Sequence, residues 1–155
     1  MKTSKEGLEM IMKAEGWVPT VYLCQAGHPT IGYGHLITPE ERNAGTFEGR
    51  TLTEAEGLEL LQKDVRRFEV GIGKLVKVKL SQNQFDALVD FAFNLGLEAL
   101  RGSTLLRRLN DGDYNLAGEF SKWCRARNPK TGRLEVLSGL VRRRKHEADL
   151  FTRLP

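Results

Sequence analysis

Cysteine and histidine are scarce in this chain, whose 155 residues include two cysteines and three histidines. Cys24 and Cys124 are too few for the disulfide framework of a small secreted scaffold, and both are expected as free thiols. No CxxC occurs and no two of His28, His35 and His146 fall at ligand spacing, so neither a metal site nor a cofactor is expected. Five prolines and 16 glycines are too few for a fibrous or low-complexity protein. No apolar run approaches the roughly 18 residues of a membrane span. The stretch from Met1 to Lys13 carries Lys2, Lys5, Glu6, Glu9 and Lys13, without the apolar run of a secretory signal, so the reading is a chain folded in the cytoplasm. Ser138-Gly139-Leu140 is no nucleophile elbow, and no phosphate-cradling loop is present.

What is present fits one globular domain. Charged residues make up 28% and hydrophobic residues 40%, enough to bury a core without metals or disulfides. The net charge of +4 lies in the second half. From Ser121 to Lys145 there are nine basic residues against Glu135 alone. Such a patch suits a polyanion, whether nucleic acid, anionic lipid or bacterial envelope; the plain alternative is a solvated basic helix face.

Capping signals divide the chain. Thr3 with Glu6 predicts a helix over about 4–14, Thr38-Pro39-Glu40-Glu41 a second, and Thr53 with Glu56 a third. In the third, Leu58, Leu61, Val65, Phe68, Ile72 and Leu75 recur at spacings of three and four, so it is long despite Gly71 and Gly73. Ser81 with Gln84 opens another. Turns are expected at 111–113 and 128–132, a helix through Phe120 and Trp123, and a last helix from about Gly139 to Phe151. Residues 21–24 and 30–35 read as two strands of a hairpin joined by Gln25–Pro29. The class is α+β and mainly helical: an N-terminal lobe over about 1–60 with a small hairpin, a connecting helix over about 53–76, and a helical C-terminal lobe over about 81–155.

Three residues of the small lobe could carry chemistry. Glu15 projects from the apolar face of Leu8, Ile11 and Met12 and is followed by the helix stop Gly16. Partial burial and the negative end of the helix dipole both favour its protonated form, as a general acid requires; a surface glutamate on a frayed end is the plain alternative. Tyr22 and Cys24 share one strand face, and the loop length makes Cys24 and Thr30 cross-strand neighbours. A thiol and a hydroxyl would then converge beside Gly32 and Gly34, though a free cysteine is usually a small buried hydrophobe. His35 reads as structural.

Glu15-Gly16, Tyr22-Leu23-Cys24, Ala26-Gly27 and Thr30-Ile31-Gly32-Tyr33-Gly34-His35-Leu36 closely resemble the active-site signature of the phage-type (T4-like) lysozymes, the endolysins of glycoside hydrolase family 24. Gln84, Ala87-Leu88, Phe91, Phe93-Asn94 and Gly96 are similar to the family's central helix motif. Phe120, Trp123, Gly132, Gly139-Leu140-Val141-Arg142-Arg143-Arg144 and Glu147 are similar to its C-terminal motif. The resemblance implies a two-lobed fold with a groove between lobes, and hydrolysis of the β-1,4 bond between N-acetylmuramic acid and N-acetylglucosamine in peptidoglycan. It maps the catalytic acid onto Glu15 and the catalytic threonine onto Thr30, and it lines the groove with Leu36, Phe93 and Thr104. Where the family commonly has aspartate, this chain has Cys24, which could act as base or attack directly.

The resemblance further implies a monomer that waits in the host cytoplasm until a separate holin opens the membrane, then acts on the wall in the periplasm. It implies neither nucleic-acid binding nor stable membrane insertion. A small basic nucleic-acid binder has only charge in its favour. A non-catalytic peptidoglycan-binding relative, with Cys24 marking a lost catalytic group, is the other alternative.

Overall fold

The computed structural model describes residues 1–154. Its elements run α1 (Lys5–Glu15), β1 (Val18–Leu23), β2 (Pro29–Gly32), β3 (His35–Leu36), α2 (Pro39–Asn43), α3 (Glu54–Leu75), α4 (Gln82–Leu95), α5 (Leu97–Arg101), α6 (Thr104–Asn110), α7 (Ala117–Ser121), β4 (Arg125–Arg127), β5 (Leu134–Val136) and α8 (Ser138–Thr152). The mainly helical α+β class read from the sequence is the one observed. The chain divides into two compact units: Leu8–Arg67, and Met1–Gly7 together with the chain from Phe68 on. The divisions fall inside α1 and α3.

The first unit holds a three-stranded antiparallel sheet of order β1-β2-β3. One buried cluster, Ile31, Phe47 and Leu52 with Trp17, Ile37 and Leu60 packed against it, is its hydrophobic centre. Thr38 and Glu41 form the expected capping box at α2, with Pro39 at the first helical position. Thr53 and Glu56 do the same for α3, where the Glu56 N–H donates to Thr53 Oγ1 at 3.1 Å.

Several expectations need correction here. The second strand is broken at Tyr33-Gly34, so the lobe has three short strands rather than a two-stranded hairpin. Gly34 has φ 76°, a left-handed conformation that costs glycine nothing and lets the chain reverse within two residues. The first connection is also tighter than expected. The Cys24 N–H bonds to the His28 carbonyl at 2.9 Å, which extends the ladder and leaves a loop of Gln25–Gly27. Gly27, at φ 80°, closes it. The register therefore pairs Tyr22, not Cys24, with Thr30.

The cap of α1 is also displaced by one residue. Ser4 Oγ accepts from the Gly7 N–H at 3.1 Å. Thr3 is occupied elsewhere, its N–H donating to Glu69 at 2.7 Å and its hydroxyl at 2.8 Å. Ser4 binds Asp86 through both its N–H and its hydroxyl. These bonds tie the first residues to the helical unit.

In that unit Ser81 and Gln84 cap α4 as a box, and α4 is buried along most of its length. Its Phe91 meets Phe120 edge-on at 5.7 Å and Trp123 at 5.6 Å, contacts worth about 1 kcal/mol each beyond their area. The helix around Phe120 stops at Ser121, before Trp123. The turn at 128–132 is present, but it joins two strands, β4 and β5, that periodicity did not reveal because each is three residues long. Gly71 sits inside α3 because a Cβ there would lie 2.5 Å from Leu97 Cδ1.

The cations of α8 are not one solvated face. Arg143 grips buried Asp90 through Nε at 3.0 Å and Nη2 at 2.8 Å. Arg144 is buried against Glu147 at 2.6 Å. Burial, with the hydrogen bond and charge of Asp90 behind it, pushes the Glu147 carboxyl up to about 10, against the pull of Arg144. As a neutral acid, Glu147 gains a proton to donate through Oε2, which is otherwise without a partner.

The folded chain keeps a proton that the unfolded chain releases near pH 4.3. Glu147 therefore contributes stability fully below about pH 4.3, and this is lost as pH rises toward about 10. Glu147→Gln, which mimics the neutral acid, should match wild type within about 1 kcal/mol below about pH 4.3, become the more stable of the two as pH rises to 7, and flatten the pH dependence. Glu147→Ala should cost about 3 kcal/mol or more. Urea midpoints across pH check both.

Candidate active site

Glu15, Cys24 and Thr30 all fall in the sheet-bearing unit. Glu15 is the last residue of α1, half-buried, and the helix ends at Gly16, whose N–H bonds to the Met12 carbonyl at 3.0 Å. Its carboxylate lies over the Tyr33-Gly34 turn. A Cβ on Gly34 would stand 3.1 Å from Glu15 Oε2, so glycine there leaves the room that the carboxyl occupies. The missing strand residues thus have a use: the break between β2 and β3 brings bare backbone under the candidate acid.

Cys24 sits just past β1, where the chain turns. The thiol is held below its ordinary range: a backbone hydrogen bond from His28 lowers it most, burial is next in size and raises it, and further hydrogen bonds from Ala26, the Thr30 hydroxyl and its own amide bring the balance down. These hydrogen bonds favour a thiolate, because N–H and O–H dipoles point at the developing charge. Thr30 is buried, and its hydroxyl lies 2.9 Å from the His28 carbonyl. One hydroxyl has one proton. It donates to that carbonyl when the thiol is protonated and must rotate to the sulfur when the thiol ionises. Cys24 and Thr30 thus meet through side chains although the ladder does not pair them.

Tyr22 is the residue sequence reasoning missed as part of the site. Burial raises its phenol above the ordinary range, and the charges of Cys24 and Glu15 raise it further. It therefore lies within electrostatic reach of both. Its position two residues before Cys24, on the same strand face, was the available signal.

Leu36, Phe93 and Thr104, which the resemblance assigns to a groove, are divided between the units. Leu36 is 55% exposed on β3. Phe93, on α4, is half-buried with its ring 5.4 Å from Phe68. Thr104 is exposed at the start of α6, whose cap is Ser103. Both cysteines are free. Among the described residues, no group of three His, Cys, Asp or Glu side chains is arranged to hold a metal ion. No helix there is long and apolar enough to cross a membrane. An open depression of about 380 Å³ is lined by Phe47, Leu52, Leu60 and charged residues of α3, and none of the candidate site residues borders it.

His35 braces the same unit. It is buried, with Nδ1 2.8 Å from Asp64 and Nε2 2.9 Å from Glu41. Burial lowers its pKa, but hydrogen bonds to Asp64 and Glu41, and their charges, outweigh burial and raise it above the ordinary imidazole value. Glu41 moves the opposite way: burial raises it, and His35, the Thr38 N–H and Lys63 together bring it below the ordinary value.

The raised His35 contributes stability fully below about pH 6.5, lost as pH climbs through its folded value. The lowered Glu41 contributes above about pH 4.3, lost as pH falls through its own. The cluster is therefore strongest between about pH 4.3 and 6.5. His35→Asn should cost about 2 kcal/mol in that window, and the difference should shrink at alkaline pH. Thermal melts at a series of pH values test this.

The chain is similar to known proteins along nearly its whole length. The chain is 38% identical to the endolysin of Acyrthosiphon pisum secondary endosymbiont phage 1, covering 97% of this chain and 98% of that one. It is 40% identical to the endolysin of Bacillus phage B103 over 97% of this chain, but spans only 54% of that longer protein. The muramidase domain of SpmX from Asticaccaulis excentricus superposes with a TM-score of 0.86 at 36% identity, covering 99% of each chain. Residues 12–147 match the phage lysozyme family, and the chain belongs to that family.

Proposed function

We propose that this chain is an endolysin of the muramidase type, hydrolysing β-1,4 bonds between N-acetylmuramic acid and N-acetylglucosamine in bacterial peptidoglycan. The observation that carries the mechanism is the setting of Cys24. Its thiolate is favoured by amides and a hydroxyl, on the sheet that bears Tyr22 and in the unit whose first helix ends in Glu15.

Glu15, protonated, donates its proton to the glycosidic oxygen as the bond to the muramic acid carbon breaks and an oxocarbenium-like centre develops. The Cys24 thiolate takes a proton from a water that the Thr30 hydroxyl helps to orient, and that water adds to the centre. Proton transfer back to Glu15 and away from Cys24 completes the cycle. No metal or cofactor is required by these steps. Leu36, Phe93 and Thr104 contact the glycan. Attack by water gives an inverted product, and direct attack by sulfur gives retention through a thioglycoside.

The chain acts as a monomer. It collects in the host cytoplasm and reaches the periplasmic face of the wall once a separate holin opens the membrane. Purified peptidoglycan provides the test. New reducing ends of N-acetylmuramic acid, with falling turbidity, are the expected result. Binding without new reducing ends would instead make the chain a non-catalytic relative.

A further inference from the structure

The basic stretch from Ser121 to Lys145 is built differently from a helix face, and what it presents is not charge alone. In the β4–β5 ribbon Arg125 pairs with Val136 and Arg127 with Leu134, so these four share one face; Ala126 and Glu135 take the other. Exposure follows the same alternation, with the four outward residues open and Ala126 and Glu135 half-covered. The one acidic residue of the stretch is thereby turned away from the outer face, where the Asn128 side-chain amide donates to it at 2.9 Å.

Leu134 is 60% and Val136 56% exposed, and Leu137 and Val141, where α8 begins, are exposed as well. The nearby cations divide into two sets. Arg143 and Arg144 are turned inward to Asp90 and Glu147, while Lys122 and Lys145 are paired with Glu119 and Asp149. Among the described residues, Arg125, Lys130, Arg133 and Arg142 form no ion pair.

We propose that this ribbon, with the start of α8, is a docking surface for an anionic phospholipid membrane. Charge complementarity selects an anionic partner, and the interleaved aliphatics select one with an apolar layer under its charges. Cations of this kind draw the ribbon to phosphate headgroups within about a Debye length. Leu134 and Val136 then enter the headgroup–acyl boundary, where exposed aliphatic area leaves water. A polyanion in solution, such as nucleic acid, offers the arginines a partner but gives the aliphatics nothing. The contact is peripheral, since no described helix crosses a membrane. It would hold the protein at a bilayer surface beside the wall.

Vesicle co-sedimentation of the full chain tests this, comparing mixed phosphatidylcholine–phosphatidylglycerol vesicles with pure phosphatidylcholine. Wild type should sediment with the mixed vesicles only, and high salt should release it. Arg125→Ser and Arg133→Ser should each weaken binding about fivefold. Leu134→Ser with Val136→Ser should weaken it about tenfold or more. All these positions are on the surface, so thermal midpoints and lysis of purified peptidoglycan should match wild type. Either of two results overturns the proposal: wild type that ignores the phosphatidylglycerol, or a folded Leu134→Ser/Val136→Ser variant that binds mixed vesicles as tightly as wild type. The second result, joined to tight binding of duplex DNA by both proteins, would identify a polyanion surface instead.

Discussion

Glu15→Gln should lower the rate of peptidoglycan hydrolysis by about 10²–10⁴-fold while leaving the fold intact. The amide matches the carboxyl in size, so it fits the space above Gly34, where a Cβ would approach Glu15 Oε2 to 3.1 Å. What it lacks is the transferable proton. Glycosidic oxygen is a poor leaving group unless protonated as the bond breaks. The loss should therefore appear in turnover, with binding to insoluble peptidoglycan unchanged. Initial rates on purified peptidoglycan, beside a thermal melt, make the measurement. Substantial turnover by a folded Glu15→Gln protein would mean that another group is the acid.

The second large effect concerns Cys24. Cys24→Ser should reduce turnover by a comparable factor, about 10²-fold or more, because a hydroxyl does not ionise at working pH. Cys24→Asp should retain activity, restoring the commoner group of the resembling family. The pH–rate profile separates these cases. Hydrogen bonds led by that of His28 hold the thiol below its ordinary value, so the rising limb of wild type should lie below the usual thiol range. It should still lie above the limb of the Cys24→Asp variant, since the two groups start from about 8.5 and about 3.9.

Alkylation of the thiol should inactivate wild type, with protection by substrate. Steric blockage could produce that result too, which makes the serine variant the sharper comparison. A Cys24→Ser protein as active as wild type at every pH would leave Cys24 as a wall residue. Catalysis would then rest on Glu15 and a water held by Thr30. The anomeric configuration of the first product reports the remaining choice, inversion for a thiolate base and retention for a thiolate nucleophile.

Much of this architecture was legible in local chemistry. Capping boxes at Thr38, Thr53 and Ser81 are contained within four consecutive residues each, and the structure has all three. The apolar repeat from Leu58 to Leu75 placed α3 within a residue or two. Thr3 misled because its hydroxyl bonds Glu69, a partner 66 residues away that no local rule contains. The ribbon of β4 and β5 escaped because three residues carry too little alternation to read.

The site divides along the same line. Residue order alone names the groups available: a carboxyl at a helix end, a thiol and a hydroxyl flanking a glycine-bearing turn, and a stretch of nine cations with one anion. Those are properties of residue type and spacing. Folding in three dimensions set their relations. It set Tyr22 rather than Cys24 opposite Thr30, because the Cys24–His28 backbone bond tightened the loop. It surrounded the sulfur with the amides that favour its thiolate. It also turned Arg143 and Arg144 inward to two buried carboxyls while leaving the ribbon's arginines outward. Each of these depends on the direction of a side chain or an amide within a few ångströms of a particular partner. Hydrogen bonds and burial set that direction once the chain has folded, and residue type and spacing do not encode it.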